Sequence, residues 1–273
     1  MNKTSLLEKA YCRPWLILPQ AHVSFCRVAA EAAEVIDYEK EKDTIDAPSV
    51  FAQSSGVAVA RISVSGVIGK NVGAMGRALG MYDLNDLEAS LQKAEADQQV
   101  QGIVLDINSP GGTVTGVPEI AAMIREMDTP VIAYTSDMMA SAAYWIASAA
   151  DAIYASPSAS VGSIGVYSAM LDASRYYDAM GLRVELFKSG KYKGMGMEGV
   201  PLTDEQRELI QSEVDSLYDW FASDVSRNRT ISPIYMQGQS LLGKEAAEVD
   251  MVDAIGSFED AVNEAEEMYE FAS

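Results

Sequence analysis

The 273 residues carry 40 acidic and 20 basic side chains, for a formal net charge of -20, and 48% are hydrophobic. That is enough chain and enough apolar material to bury one large core. So acidic a surface argues against unaided binding to nucleic acid or to anionic membranes.

Residues 1–55 read as an N-terminal extension. They contain both cysteines, Cys12 and Cys26, and the single histidine, His22. Three such residues are too few for a structural zinc site, and no metal is expected. A Cys12–Cys26 disulfide is open, with a reducing compartment as the default. The stretch "WLILP" is too short for a signal h-region and is closed off by Pro14 and Pro19. Helical spacing is expected near 28–42, and no strong strand.

From residue 56 the pattern changes. "GVAVARISVSGVIG" (56–69) alternates with period two and reads as one or two strands. Leu84, Leu87 and Leu91 space a helix over 81–97. "GIVLDINSPGG" (102–112) is a buried strand running into a Pro-Gly-Gly turn. A helix is expected over 118–127, a strand over 129–137 and a helix of small residues over 139–151. "AIYAS" and "SVGSIGVYS" read as strands. A helix follows near 171–180, then a strand at 182–190. Residues 202–229 form a long helix with Thr203 as N-cap and Gln206 as its capping-box partner. A final helix starts near Ser257. Strands alternating with helices imply parallel crossovers, hence an α/β core over 56–273.

No apolar run reaches the roughly 18 residues of a transmembrane helix, so no membrane anchor is expected.

Three features carry chemistry. The turn "NSPGG" ends a buried strand, and its glycines leave backbone N–H groups open to an oxyanion or a phosphate. They also suit a turn that needs positive φ. Ser141 stands at a strand-to-helix junction among Ala140, Ala142 and Ala143, where a nucleophile or an ordinary helix cap would fit equally. "FKSGKYKGMG" (187–196) packs Lys188, Lys191 and Lys193 into six positions. A serine nucleophile needs a base, and the lone histidine lies outside the core. A lysine serves if burial lowers its pKa from about 10.4 toward neutrality.

"INSPGG", "DMMASAAYWIASAAD", "SVGSIGV" and "SGKYKGMG", in this order, resemble the signal peptide peptidase A family of Ser/Lys peptidases. The tail "GQSLLGKEAAEVDMVDAIGSFEDAV" (238–262) resembles that family's closing segment. The resemblance implies a ClpP/crotonase-like α/β fold with parallel strands and helices. It implies Ser141 as nucleophile, Lys193 as general base and Ser163 as the residue that orients Lys193. Gly111 or Gly112 would supply one oxyanion-hole amide and Ala142 a second. No cofactor is implied.

The substrate would be a polypeptide with small or apolar P1 side chains, and the enzyme a homo-oligomeric ring or dome, with a dyad that could span two protomers. Lacking an anchor, the chain looks like the compact phage and prophage members that cut scaffold, portal or capsid precursors in the host cytoplasm or procapsid. The extension would then be a docking or self-cleaved segment. Soluble signal-peptide digestion, an acyl-CoA enzyme on the same fold, and an inactive assembly factor are the alternatives.

Overall fold

The structure is a computed structural model that describes residues 14–32, 49–52 and 58–272. Pro14 and Pro19 bracket a short strand, β1 (Trp15–Ile17), and Pro19 opens helix α1 (Pro19–Ala32) at the position where a missing N–H costs nothing. Strand β2 (Ser49–Ala52) follows. The alternating stretch splits into β3 (Ala58–Ser65) and β4 (Val67–Gly69) at Gly66, whose φ of +95° favours glycine. Next come α2 (Ala74–Ala78), β5 (Met81–Asp83) and α3 (Leu84–Ala96), the last capped by the Asp83 carboxylate accepting from the Asn85 amide. Strands β6 (Val100–Asn108) and β7 (Gly111–Thr113) flank the Pro-Gly turn and lead to α4 (Val117–Arg125).

The second half holds β8 (Val131–Thr135), β9 (Met138–Ala140), α5 (Ala142–Ala147), β10 (Ala152–Ala155), β11 (Ser160–Gly162) and α6 (Ser174–Ala179). Helix α7 (Asp204–Val225) carries the anticipated capping box between Thr203 and Gln206. The chain closes with β12 (Ser240–Leu242), α8 (Gly243–Ala247), β13 (Ala254–Ile255) and α9 (Phe258–Ala272).

The largest sheet among the described residues runs β13-β10-β8-β6-β3-β2, parallel except for β2, which lies antiparallel on β3. Both of its faces are covered, which explains the continuous apolar run of β6. Ile103, Leu105 and Ile107 face the main core with Leu87 and Leu91 of α3, while Val104 faces Ala261, Val262 and Ala265 of α9. Gly102 lets α9 approach: a Cβ there would lie 2.9 Å from the Ala265 Cβ. A second sheet orders β1-β7-β4-β5 and a third β12-β11-β9.

Four expectations change. The extension does contain strands, β1 and β2, because each finds a partner far along the chain, in β7 and β3. Its helix begins at Pro19, earlier than expected; residues 28–32 are helical as expected, and 33–42 fall outside the described residues. The anticipated helix 139–151 begins only at Ala142, because Met138–Ala140 pairs with β11 instead. Residues 182–190 form no strand, since none of the described strands lies beside them to receive their backbone hydrogen bonds.

Candidate active site

Strands β9 and β11 run parallel with Ala140 opposite Gly162. The residues that follow, Ser141 and Ser163, therefore leave adjacent strands at the same level. Both adopt positive φ, 57° and 53°, which side-chain-bearing residues hold only when their surroundings dictate it. The surroundings here are hydrogen bonds. The Ser141 amide donates to the Gly162 carbonyl at 2.8 Å, and the Ser163 amide to the Gln239 carbonyl at 2.8 Å. Trp145 N–H closes the first helical turn on the Ser141 carbonyl at 2.9 Å. Ser141 thus sits on a sharp strand-to-helix turn, and Ala142 is the first residue of α5, where backbone amides have no intrahelical acceptor.

The Pro-Gly-Gly turn is fastened to the same junction. Ser109 N–H donates to the Met138 carbonyl and Ala140 N–H to the Ser109 carbonyl. Ser109 Oγ donates to the Gly66 carbonyl at 2.7 Å and accepts from the Gly111 amide at 3.1 Å. That engages the Gly111 N–H, while Gly112 stands opposite Leu16 in the antiparallel β1–β7 ladder. A Cβ on Gly111, at φ +98°, would lie 2.9 Å from the Ser141 Cβ and 2.1 Å from the Leu16 carbonyl oxygen. Glycine there lets the turn press against Ser141. Ser109 escaped the sequence reading, although a serine two residues ahead of a glycine in a tight turn is the signal for such a side-chain-to-amide bond.

Helix α5 is fixed from behind. Trp145 stacks on Phe221 with centroids 4.5 Å apart, and its Nε1–H donates to the Asp224 carboxylate at 2.6 Å. Arg125 meets the same carboxylate at 3.0 Å, and Tyr144 O–H donates to the Met251 carbonyl at 2.8 Å.

The structure therefore brings Ser141, Ser163, Gly111 and Ala142 together, with Gly112 one residue on. It leaves Lys193 apart, exposed in the turn-rich 189–196 stretch, where its amide donates to the Gly190 carbonyl. Among the described residues no hydrogen bond or ion pair joins the Lys193 side chain to either serine. Of its neighbours, Lys188 Nζ donates to the Lys191 carbonyl, and Lys191 pairs with Glu205 at 3.4 Å. The Glu205 carboxylate holds the Lys191 ammonium above its ordinary pKa, the wrong direction for a base. His22 is buried and spoken for: its ring lies tilted against Trp15 with centroids 4.6 Å apart, and its Nδ1 lies 2.7 Å from the Tyr167 hydroxyl.

Residues 124–271, more than half of the chain, match peptidase family S49, and residues 74–161 match the Clp protease family. The chain belongs to peptidase family S49. Its parallel sheet, with helices on both faces and the Gly-Gly turn at the end of β6, is the ClpP/crotonase-like fold. Family relatives include a candidate protease of Methanocaldococcus jannaschii, 35% identical over 187 residues, which are 65% of this chain and 59% of that protein. Capsid assembly protease C of Escherichia phage lambda is 30% identical over 277 residues, covering 96% of this chain and 62% of the phage protein. Head-tail preconnector protein GP5 of Enterobacteria phage P21 is 28% identical over 286 residues, 96% of this chain and 57% of its own length. The chain thus spans about six tenths of the length of these three relatives. No helix among the described residues is long and apolar enough to cross a membrane.

Proposed function

We propose that the protein is a serine endopeptidase in which Ser141 attacks the scissile carbonyl and Lys193 is the general base. The observation that carries this reading is the pairing of Ser141 and Ser163 at the ends of two hydrogen-bonded strands, pressed against a glycine turn. Neutral Lys193 takes the Ser141 proton as the hydroxyl adds to the carbonyl. The amides of Gly112 and Ala142 receive the developing oxyanion. Lys193 then protonates the leaving amine, and water hydrolyses the acyl-enzyme with Lys193 again as base. Ser163 orients the lysine through its hydroxyl.

Lys193 reaches the serines on assembly. In the single chain it is exposed, and the segment before it displays Met180, Leu182 and Phe187, the last 90% exposed. Burying these residues against a neighbouring copy would bring the lysine out of water, which is what a neutral lysine requires. The natural substrates are phage head precursors: scaffold, portal or capsid proteins cut in the host cytoplasm or procapsid. The two phage relatives support this branch because they align over 96% of the chain, extension included, whereas the archaeal relative aligns over 65%.

A fluorophosphonate probe is expected to label Ser141 and to leave a Ser141→Ala variant unmodified. Lys193→Ala is expected to fold but to lose turnover of a peptide with a small apolar P1 residue. Normal turnover by either variant would sink the dyad. Mixing the two dead variants is expected to restore part of the activity, because each contributes the group the other lacks. Two inactive proteins that stay inactive when mixed and co-assembled would place both groups in one protomer.

A further inference from the structure

We infer that strand β1 occupies the substrate strand position beside Ser141, so that the chain carries its own inhibitory plug. The inference rests on the peptidase reading above and adds a regulatory contact to it. A peptide held for cleavage binds as an extended strand whose backbone pairs with the enzyme on its edges. The edges available near Ser141 are β7, which follows the Pro-Gly turn, and the stretch that follows Ser163. β1 lies between them and pairs with both.

On one side it runs antiparallel to β7, with Leu16 opposite Gly112 and Ile17 opposite Gly111. The Leu18 amide extends this ladder to the Pro110 carbonyl at 3.0 Å. On the other side Trp15 exchanges both backbone bonds with Tyr167, at 2.8 and 3.2 Å. Because successive residues of a strand turn their backbone groups to opposite sides, three residues suffice to bridge the gap.

The plug sits against the nucleophile. The Leu16 carbonyl oxygen and the Ser141 Cβ lie within 2.1 and 2.9 Å of the same point, the position a Gly111 Cβ would take. Trp15, Leu16 and Ile17 are all buried, and Ser141 retains 1% of its accessible surface. A nucleophile so covered cannot meet a polypeptide until the strand leaves. The plug is further held by α1, which carries His22 against Trp15 and the Tyr167 hydroxyl. Substrate therefore competes with a tethered strand, and only the fraction of molecules with β1 displaced reacts.

The test measures the rate at which a small fluorophosphonate labels Ser141 in the full chain, each variant being checked for folding by its melting curve. Leu16→Asp, which puts a charge in the apolar slot, is expected to be labelled at least about tenfold faster than the unmodified protein. A second variant reverses the logic. Trp15 and Tyr167 form a hydrogen-bonded antiparallel pair, for which Cα atoms stand about 5.5 Å apart, within disulfide range. Trp15→Cys with Tyr167→Cys, in a Cys12→Ser, Cys26→Ser background, is expected to label slowly when oxidised and at least about tenfold faster when reduced. Equal rates for the oxidised and reduced forms, or no gain from Leu16→Asp, would overturn the plug while leaving Ser141 as nucleophile. Folded variants that never label, even reduced, would overturn the peptidase reading and the plug with it.

Discussion

Gly112 has no room for a side chain: a Cβ there would stand 1.8 Å from the Ile68 carbonyl oxygen, a backbone atom that cannot turn away. Gly112→Ala is therefore expected to push β7 off β4, destabilising the protein by about 1–3 kcal/mol, the usual range for overpacking, and to abolish turnover. Chemical denaturation reads the first effect and peptide hydrolysis the second. Ser163→Ala keeps the backbone bond to Gln239 and removes only the hydroxyl. It is expected to fold normally and to lower kcat while leaving KM nearly unchanged, since the role proposed for it is to orient a base. A rise in KM alone would assign it to substrate binding. At this scale the sequence singled out the serines and glycines through short motifs, and the structure brings Ser141, Ser163 and Gly111 to one junction. Leu16 was not singled out. No strand was expected in "WLILP", because nothing in so few residues names the strand they will pair with.

The turn that presents Ser141 is only as rigid as helix α5, and α5 hangs from Asp224. That carboxylate is 3% exposed and receives Trp145 Nε1–H, Arg125 and, at 3.5 Å, Arg227. Removing it with Asp224→Ala strands the half-buried Arg125 and leaves Trp145 Nε1–H without its acceptor, and is expected to cost about 3–5 kcal/mol. Trp145→Phe keeps the stack on Phe221 and loses one charge-assisted hydrogen bond, for about 1.5–3 kcal/mol. Urea denaturation should place the two variants in that order; the reverse order would mean that the stack, not the carboxylate, holds the helix. The helix α7 capping box was readable as Thr203 and Gln206 because its partners lie three residues apart. The expectation of a strand at 182–190 likewise rested on a short stretch alone. It failed because a strand also needs a neighbour, and none of the described strands of the single chain stands there.

Buried phenols govern the response of the whole molecule to alkali. Burial pushes Tyr167 up to about 12, with nearby Cys26 adding to the effect, and pushes the fully buried Tyr144 well above the ordinary phenol value. Unfolding releases both to ionise near pH 10. The unfolded chain then binds fewer protons than the folded one, so stability is intact below about pH 10 and is lost as pH rises through about 12. Melting temperature is expected to fall over that window, and less steeply in Tyr144→Phe; an unchanged slope would remove Tyr144 from the account. The sequence by itself determined the α/β order, the long capped helix and the strand-to-helix setting of Ser141, because periodicity, caps and turn chemistry act over a few residues; the roles of Ser141 and Ser163 came from the family resemblance and stand as proposals. Only the tertiary structure decided that Trp15–Ile17 pairs with β7 and Tyr167 and that Lys193 stands exposed, with no bond to either serine among the described residues. Those facts depend on pairing across roughly a hundred residues and on surfaces left unfilled, which closing the chain on itself settles and local pattern does not.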